Sequence, residues 1–268
     1  MSSDAEQRGR GNLDPDHSPG DAEMDDRGGA EDRARGLRAR VAAATSRLRE
    51  SAARLDDRQA REPSTLPGWS RGHLLTHLAR NADGLRNLLI WARTGVETPQ
   101  YRDADEREEA IAAGAGRPAA ELLADLDASA AALDAEVARM PPAAWSAEVR
   151  GIRGPPHPAW YTLWRRLSEV EIHHVDLAVG YGPTDWPADF AVYCLRRGAD
   201  VFTGADSPAV LLRCSDVALE ARIGPAAMEP AVTVSGPARP MLAWLLGRGD
   251  GTGLTADPPG PLPPLPPW

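Results

Sequence analysis

Leu163–Gly180, LWRRLSEVEIHHVDLAVG, is the stretch from which the rest of the chain is read. It carries no Pro or internal Gly over 17 residues and ends on a Gly, where a helix stops. At about 100° per residue, Leu163, Leu167, Val170, His174 and Leu177 share one apolar side, so the spacing predicts a helix half-sunk in a bundle. Glu169 and His173 are four apart and stack one turn above the other on a neighbouring polar side, with Arg166 and Asp176. A carboxylate and an imidazole at that spacing grip one divalent metal ion, and three protein ligands with open positions make a catalytic zinc site. The third ligand has to come from elsewhere.

A second helix, from about Arg71 to Arg93, supplies it. Ser70 is its natural N-cap, and Leu74, Leu75, Leu78, Ala82, Leu85 and Leu89 form its buried stripe. His73 and His77 are both on it, but the helical wheel separates them. His77 sits at the margin of the apolar stripe, where a side chain reaches a bundle interior; His73 lies about 40° further toward water, near the helix start. His77 is therefore the expected third ligand and His73 a polar residue of the helix N-terminus. Gly68-Trp69-Ser70-Arg71-Gly72 also matches the nucleophile elbow of serine hydrolases. That elbow needs a strand before its serine, and Glu62-Pro63-Ser64-Thr65-Leu66-Pro67 is none, because prolines forbid a buried ladder.

The chain has 268 residues, a net charge of −9 and no lysine among its 30 basic residues. Schiff-base and Walker-type phosphate chemistry are thereby excluded, and an acidic chain is a poor nucleic-acid binder. Two cysteines, Cys194 and Cys214, give neither a disulfide framework nor a metal knuckle and read as buried fillers of a protein from a reducing interior. No signal peptide or run of 18 apolar residues is present, so no membrane partner and a cytoplasmic location are expected.

Residues 1–31 are polar and read as a disordered tail. Helical periods then recur over 32–55, 71–93 and 118–140 and in the fourth helix from about Ala159, with a short acidic helix at 103–115. Together 32–181 form a metal-binding four-helix bundle. After a Pro/Gly linker, a helix from Ala188 to Phe202, β-like runs at 209–214, 218–223 and 231–234, and a helix at 238–246 make 186–255 a small α+β domain. Residues 256–268 are a Pro-rich, extended tail. The fold class is mainly α.

LPGWSRGHLLTHLA (66–79) and RLSEVEIHHVDLAVGY (166–181), with WLLGRGDGTGL (244–254) near the end, resemble the mycothiol-dependent maleylpyruvate isomerase family, a branch of the DinB-like metal-binding bundle superfamily. The resemblance spans roughly 34–255. It implies a divalent metal, usually zinc, held by one His of helix two and a Glu-x-x-x-His of the last bundle helix, which fall on His77, Glu169 and His173. It implies a substrate-binding arginine from the C-terminal domain, at Arg248, and another after helix two, at Arg107 with Arg102 as rival. It also implies mycothiol as cosubstrate.

That cosubstrate suits the chemistry. A metal ion held by two neutral imidazoles and one carboxylate stabilises thiolate over thiol, and the chain's own cysteines lack ligand spacing. The expected reaction is addition of the thiolate to a small electrophilic acid, as in the cis–trans isomerisation of maleylpyruvate. Two alternatives share the sequence features: a mycothiol S-transferase acting on other electrophiles, and a non-enzymatic metal- or ligand-sensing bundle. A di-iron centre is disfavoured, since Glu171-Ile172-His173-His174 is the sole Glu-x-x-His. The chain is expected to be a monomer or weak homo-oligomer.

Overall fold

The computed structural model describes residues 29–152, 155–201 and 207–266. The tail expected over 1–31 lies almost entirely outside them. The described residues divide into two compact units, 29–181 and 182–266.

The first unit is a four-helix bundle. Its long helices are α1 (Ala30–Ala52), α3 (Arg71–Thr94), α5 (Ala119–Val137) and α6 (Tyr161–Asp176); α2 (Asp57–Arg61) and α4 (Ala104–Gly114) lie in the connections. Helix α1 packs on α5 and α6, and α3 packs on the same two, so the four close a ring in the order α1–α6–α3–α5. Leu37 and Leu48 of α1, Leu74, Leu78, Leu85 and Leu89 of α3, Leu122 and Leu126 of α5, and Leu163 and Val170 of α6 fill its centre. These are the inward positions of the helical periods, and their burial is the main stabilising term. Between α1 and α5 run the ion pairs Arg38–Asp134 and Arg49–Asp127, and Arg80 of α3 reaches Asp125 at 2.7 Å.

Helix α6 departs from expectation in two ways. It was expected to be half-sunk, yet all of its residues from Tyr161 to Asp176 are buried. The apolar side is where the wheel puts it, but α1 and α3 cover the polar side too. Its charged groups are therefore engaged inside: Arg166 Nη1 donates to Leu78 O at 2.7 Å and Asn81 Oδ1 at 3.0 Å, and Glu171 accepts from Arg47 and Tyr181, each at 2.5 Å. The helix also stops at Asp176, four residues before Gly180. Ala178 takes a left-handed backbone (φ 54°), and Arg71 Nε donates to Leu177 O at 2.8 Å, satisfying a carbonyl the helix end leaves open.

Between α5 and α6 lies a two-residue ribbon, β1 (Glu148–Val149) against β2 (His157–Pro158). In the second unit, α7 (Ala188–Val201) precedes β3 (Val210–Cys214), β4 (Glu220–Ile223), β5 (Val232–Gly236), α8 (Ala238–Leu245) and β6 (Thr255–Asp257). The sheet order is β4–β3–β5–β6, with β3 and β5 parallel and both edge strands antiparallel. Strand β6 is absent from the sequence expectation. Thr255-Ala256-Asp257 has no alternating apolar pattern, and its pairing with β5 makes it a strand. Residues 258–266 have no regular secondary structure, and Leu262 lies against Gly251. No helix among the described residues is long and apolar enough to cross a membrane.

Replacing a fully buried leucine of α3, Leu85→Ala, is expected to cost about 2–5 kcal/mol by urea unfolding. Arg38→Ala, which breaks a solvent-exposed pair, should cost about 1 kcal/mol or less in the same assay. Equal costs would mean that the surface pairs, and not the leucine core, hold the bundle.

Candidate metal centre

Helices α3 and α6 bring His77, Glu169 and His173 together. His77 Nε2 lies 2.9 Å from Glu169 Oε2, and His173 Nε2 lies 3.3 Å from the same oxygen. One ligand atom from each residue falls within 4.8 Å of the others, and all three residues are buried. The imidazoles meet edge to face with centroids 4.9 Å apart. Because Glu169 and His173 are one turn apart on one helix, a single partner from the facing helix completes the group.

Each imidazole is also held from behind. His173 Nδ1 pairs with Asp176 Oδ2 at 2.9 Å, which leaves Nε2 directed at Glu169. Asp176 is fixed in turn by Thr65, whose Oγ1 donates to Asp176 Oδ1 at 2.9 Å and whose N–H donates to the Asp176 carbonyl at 2.9 Å. A carboxylate on the far nitrogen is the usual device for setting the tautomer and orientation of a metal-binding histidine. His77 Nδ1 lies 3.1 Å from Arg107 Nη2, and the Trp69 ring stands 5.5 Å from the His77 ring.

His73 is used differently. The Ser70 hydroxyl accepts from the His73 N–H at 3.3 Å, and His73 Nδ1 accepts from the Ser70 N–H at 3.2 Å, a reciprocal cap at the start of α3. Ser70 is thus a helix cap, as read from its context, and the elbow match is incidental. Glu171 and His174 belong to a separate cluster facing α1. His174 Nε2 meets Ser51 Oγ at 2.9 Å, and its ring stacks on Tyr181 at 3.8 Å.

The electrostatics of the group follow from its burial. Burial pushes His77 down to about 4, against the pull of Glu169. His173 is also penalised by burial, but its bonds to Asp176 and Glu169 outweigh that and hold it up at about 9. Burial would raise the Glu169 carboxyl, yet the two imidazoles keep it well below the carboxylate range. At neutral pH the carboxylate is charged, His77 is neutral and His173 carries a proton. Arg166, lowered by burial to about 10, adds a further buried cation one turn from Glu169.

Of the arginines read from sequence, Arg107 reaches the group, whereas the Arg102 side chain is 70% exposed and paired with Asp103. Arg248 lies in the second unit, where its Nη1 donates to Leu246 O at 2.7 Å. Three residues near the group carried no role in the sequence reading. Asp176 and Thr65 act through a contact between distant segments. Tyr101 is hydrogen-bonded to Arg107 and raised by burial. Gly84 admits it, since a Cβ there would stand 2.9 Å from Gln100 O and 3.0 Å from the Tyr101 ring. Neither cysteine forms a disulfide and both are buried, and burial, with Asp216 nearby, pushes the Cys214 thiol up to about 11.

Two imidazole nitrogens and one carboxylate oxygen are a donor set for a divalent ion with open positions, and the Asp176 brace suits it. The residues present therefore fit such an ion.

The profile described as the mycothiol maleylpyruvate isomerase N-terminal domain matches residues 41–178. Among curated proteins no significant match is found. Two solved structures are similar: the mycothiol-dependent maleylpyruvate isomerase, at 31% identity, and a histidine-to-alanine mutant of a mycothiol-dependent maleylpyruvate isomerase, at 30%. Each has a TM-score of 0.78, with 88% of this chain and 97% of the other covered. With half of its length under the profile and both units spanned by these structures, the chain belongs to the mycothiol maleylpyruvate isomerase family.

Proposed function

We propose that the chain is a mycothiol-dependent, divalent-metal isomerase that converts a cis-configured unsaturated keto acid of the maleylpyruvate type into its trans isomer. The observation that carries this reading is the convergence of His77, Glu169 and His173 with ligand atoms within 4.8 Å. These three hold the ion, with zinc the metal that best suits two imidazoles and a carboxylate. When bound, the ion supplies Lewis acidity that favours the thiolate form of a thiol brought to it.

The protein's own residues do the rest. Asp176 and Thr65 fix His173, and burial of His77, Glu169 and His173 limits their contact with bulk water. An imidazole whose Nε2 is committed to an ion carries its ring proton on Nδ1, and at His77 that proton would face the Arg107 donor. Arg107 is then released to pair with a substrate carboxylate, and we assign a second carboxylate contact to Arg248 from its place in the GRGDGTG segment. The thiolate adds to the double bond conjugated with the keto group, forming a C–S bond and moving the π pair onto the carbonyl oxygen as an enolate, which leaves a rotatable single bond. After rotation the enolate collapses, the C–S bond breaks, and thiolate and the trans acid are released. Tyr101, beside Arg107, offers a protonated hydroxyl near that chemistry, and burial raises it further above its ordinary value. With neither cysteine in a disulfide, the chain is assigned to the cytoplasm.

Purified protein with zinc, mycothiol and maleylpyruvate should produce fumarylpyruvate, read by its ultraviolet spectrum, and omission of mycothiol should stop it. Thiol conjugates of general electrophiles without isomerisation would instead make the chain an S-transferase. His77→Ala and His173→Ala should each abolish zinc retention, measured by elemental analysis, while the helical circular dichroism persists. His73→Ala should keep the zinc and lose about 1 kcal/mol or less, since only the Ser70 N–H loses its acceptor while the Ser70 hydroxyl still caps the residue-73 N–H; loss of zinc there would mean the wrong histidine was chosen. Zinc uptake by metal-free protein has to displace the His173 proton, which stays bound until pH approaches about 9. Affinity should therefore rise about tenfold per pH unit from about pH 4 to about pH 9, with close to one proton released per ion by calorimetry in buffers of different ionisation heat. A pH-independent affinity across that window would contradict the assignment of His173.

A further inference from the structure

The seam between α1 and α5 opens into a cleft of about 180 Å³ that runs into the bundle and is lined by Arg166 of α6. Its walls are apolar at Val41 on α1, Leu133 and Val137 on α5, and Leu163 on α6, while Thr45 and Ser46 add hydroxyls and Arg38, Arg49 and Asp134 add charged groups. Arg166 is 1% exposed. Its Nη1 is used by Leu78 O and Asn81 Oδ1, but its Nη2 is buried with no hydrogen-bond partner, and no ion pair is formed with it among the described residues. A buried cation with an unpaired donor is costly and is relieved by an anion that reaches it.

From this geometry we infer that the α1–α5–α6 cleft is a second binding site, separate from the His77–Glu169–His173 group, which takes a short-chain aliphatic monocarboxylate with its carboxylate on Arg166. At about 30 Å³ per water-sized group, the cleft has room for about six such groups, so it encloses a four-carbon acid and lets the last carbons of a six-carbon one reach its mouth. The acid's tail lies along Val41, Leu133 and Val137 toward the mouth. There Arg38 is already bidentate to Asp134, at 2.7 and 2.8 Å, and Arg49 is bidentate to Asp127, so among the described residues the rim offers no free cation, and the Asp134 carboxylate disfavours dianions. One free guanidinium nitrogen on an apolar floor selects a single negative charge with a hydrocarbon tail, not a phosphate.

The test is thermal unfolding and calorimetry of the full chain with sodium hexanoate, against sodium chloride at equal ionic strength and against hexanol. Hexanoate should raise Tm and bind saturably with a millimolar or tighter Kd, while hexanol and chloride should not. Ala130→Phe, which fills the cleft from α5, should weaken hexanoate binding at least tenfold, and Arg166→Met should do the same. If Arg166→Met does not fold, Ala130→Phe alone decides. His77→Ala should bind hexanoate as the parent does, since it alters the other group. Absence of binding, binding that survives Ala130→Phe, or binding lost in His77→Ala would each overturn the inference, the first meaning that water alone meets Nη2 and the last that the acid sits at the metal centre.

Discussion

A carboxylate sealed inside a helical bundle needs positive partners, and Glu169 has two imidazoles on one oxygen, from two different helices. Without them, burial would drive the carboxyl to its neutral form and remove the only anionic donor of the group. The contact therefore has two roles. It joins α3 to α6 across the interior, and it holds three donor atoms close enough together to grip one ion. Removing one imidazole leaves both the other ring and the carboxylate incompletely balanced at a buried position.

The rest of α6 is built around that constraint. A helix whose 16 residues are all buried and include Arg165, Arg166, Glu169, Glu171, His173, His174 and Asp176 is a poor choice for stability alone, because buried ion pairs rarely outdo well-packed hydrocarbon. Its polar residues sort into separate neighbourhoods. Glu169 and His173 face α3, Glu171 and His174 face α1, and Asp176 is fastened to Thr65. The leucines of α1, α3 and α5 supply the stability that lets one helix carry so much charge inside.

Much of the architecture was legible because helices announce themselves by period and punctuation. The Glu169–His173 spacing and the position of His77 at the edge of its stripe are local properties, and a helical wheel ranks His77 over His73 without any tertiary knowledge. Asp176 and Thr65 are not local: their bond closes over 111 residues of sequence. Tyr101 depends on a glycine in a different helix. The complete burial of α6 was hidden for a similar reason, since a wheel shows which side is apolar but not whether neighbours cover the other side as well. Gly180 signalled a stop, and Arg71, from another helix, set it four residues earlier. Strand β6 owes its existence to a neighbour's edge, which no property of Thr255-Ala256-Asp257 reveals.

The state of Cys214 bears on a chain that handles a free thiol. Mixed-disulfide formation requires a thiolate, and a Cys214 thiol pushed to about 11 is ionised to only about one part in ten thousand at neutral pH. Burial of both sulfurs denies access as well. Cys214 is thus a poor nucleophile toward the oxidised dimer of a low-molecular-weight thiol, and burial keeps this sulfur apart from the thiol chemistry that the family performs.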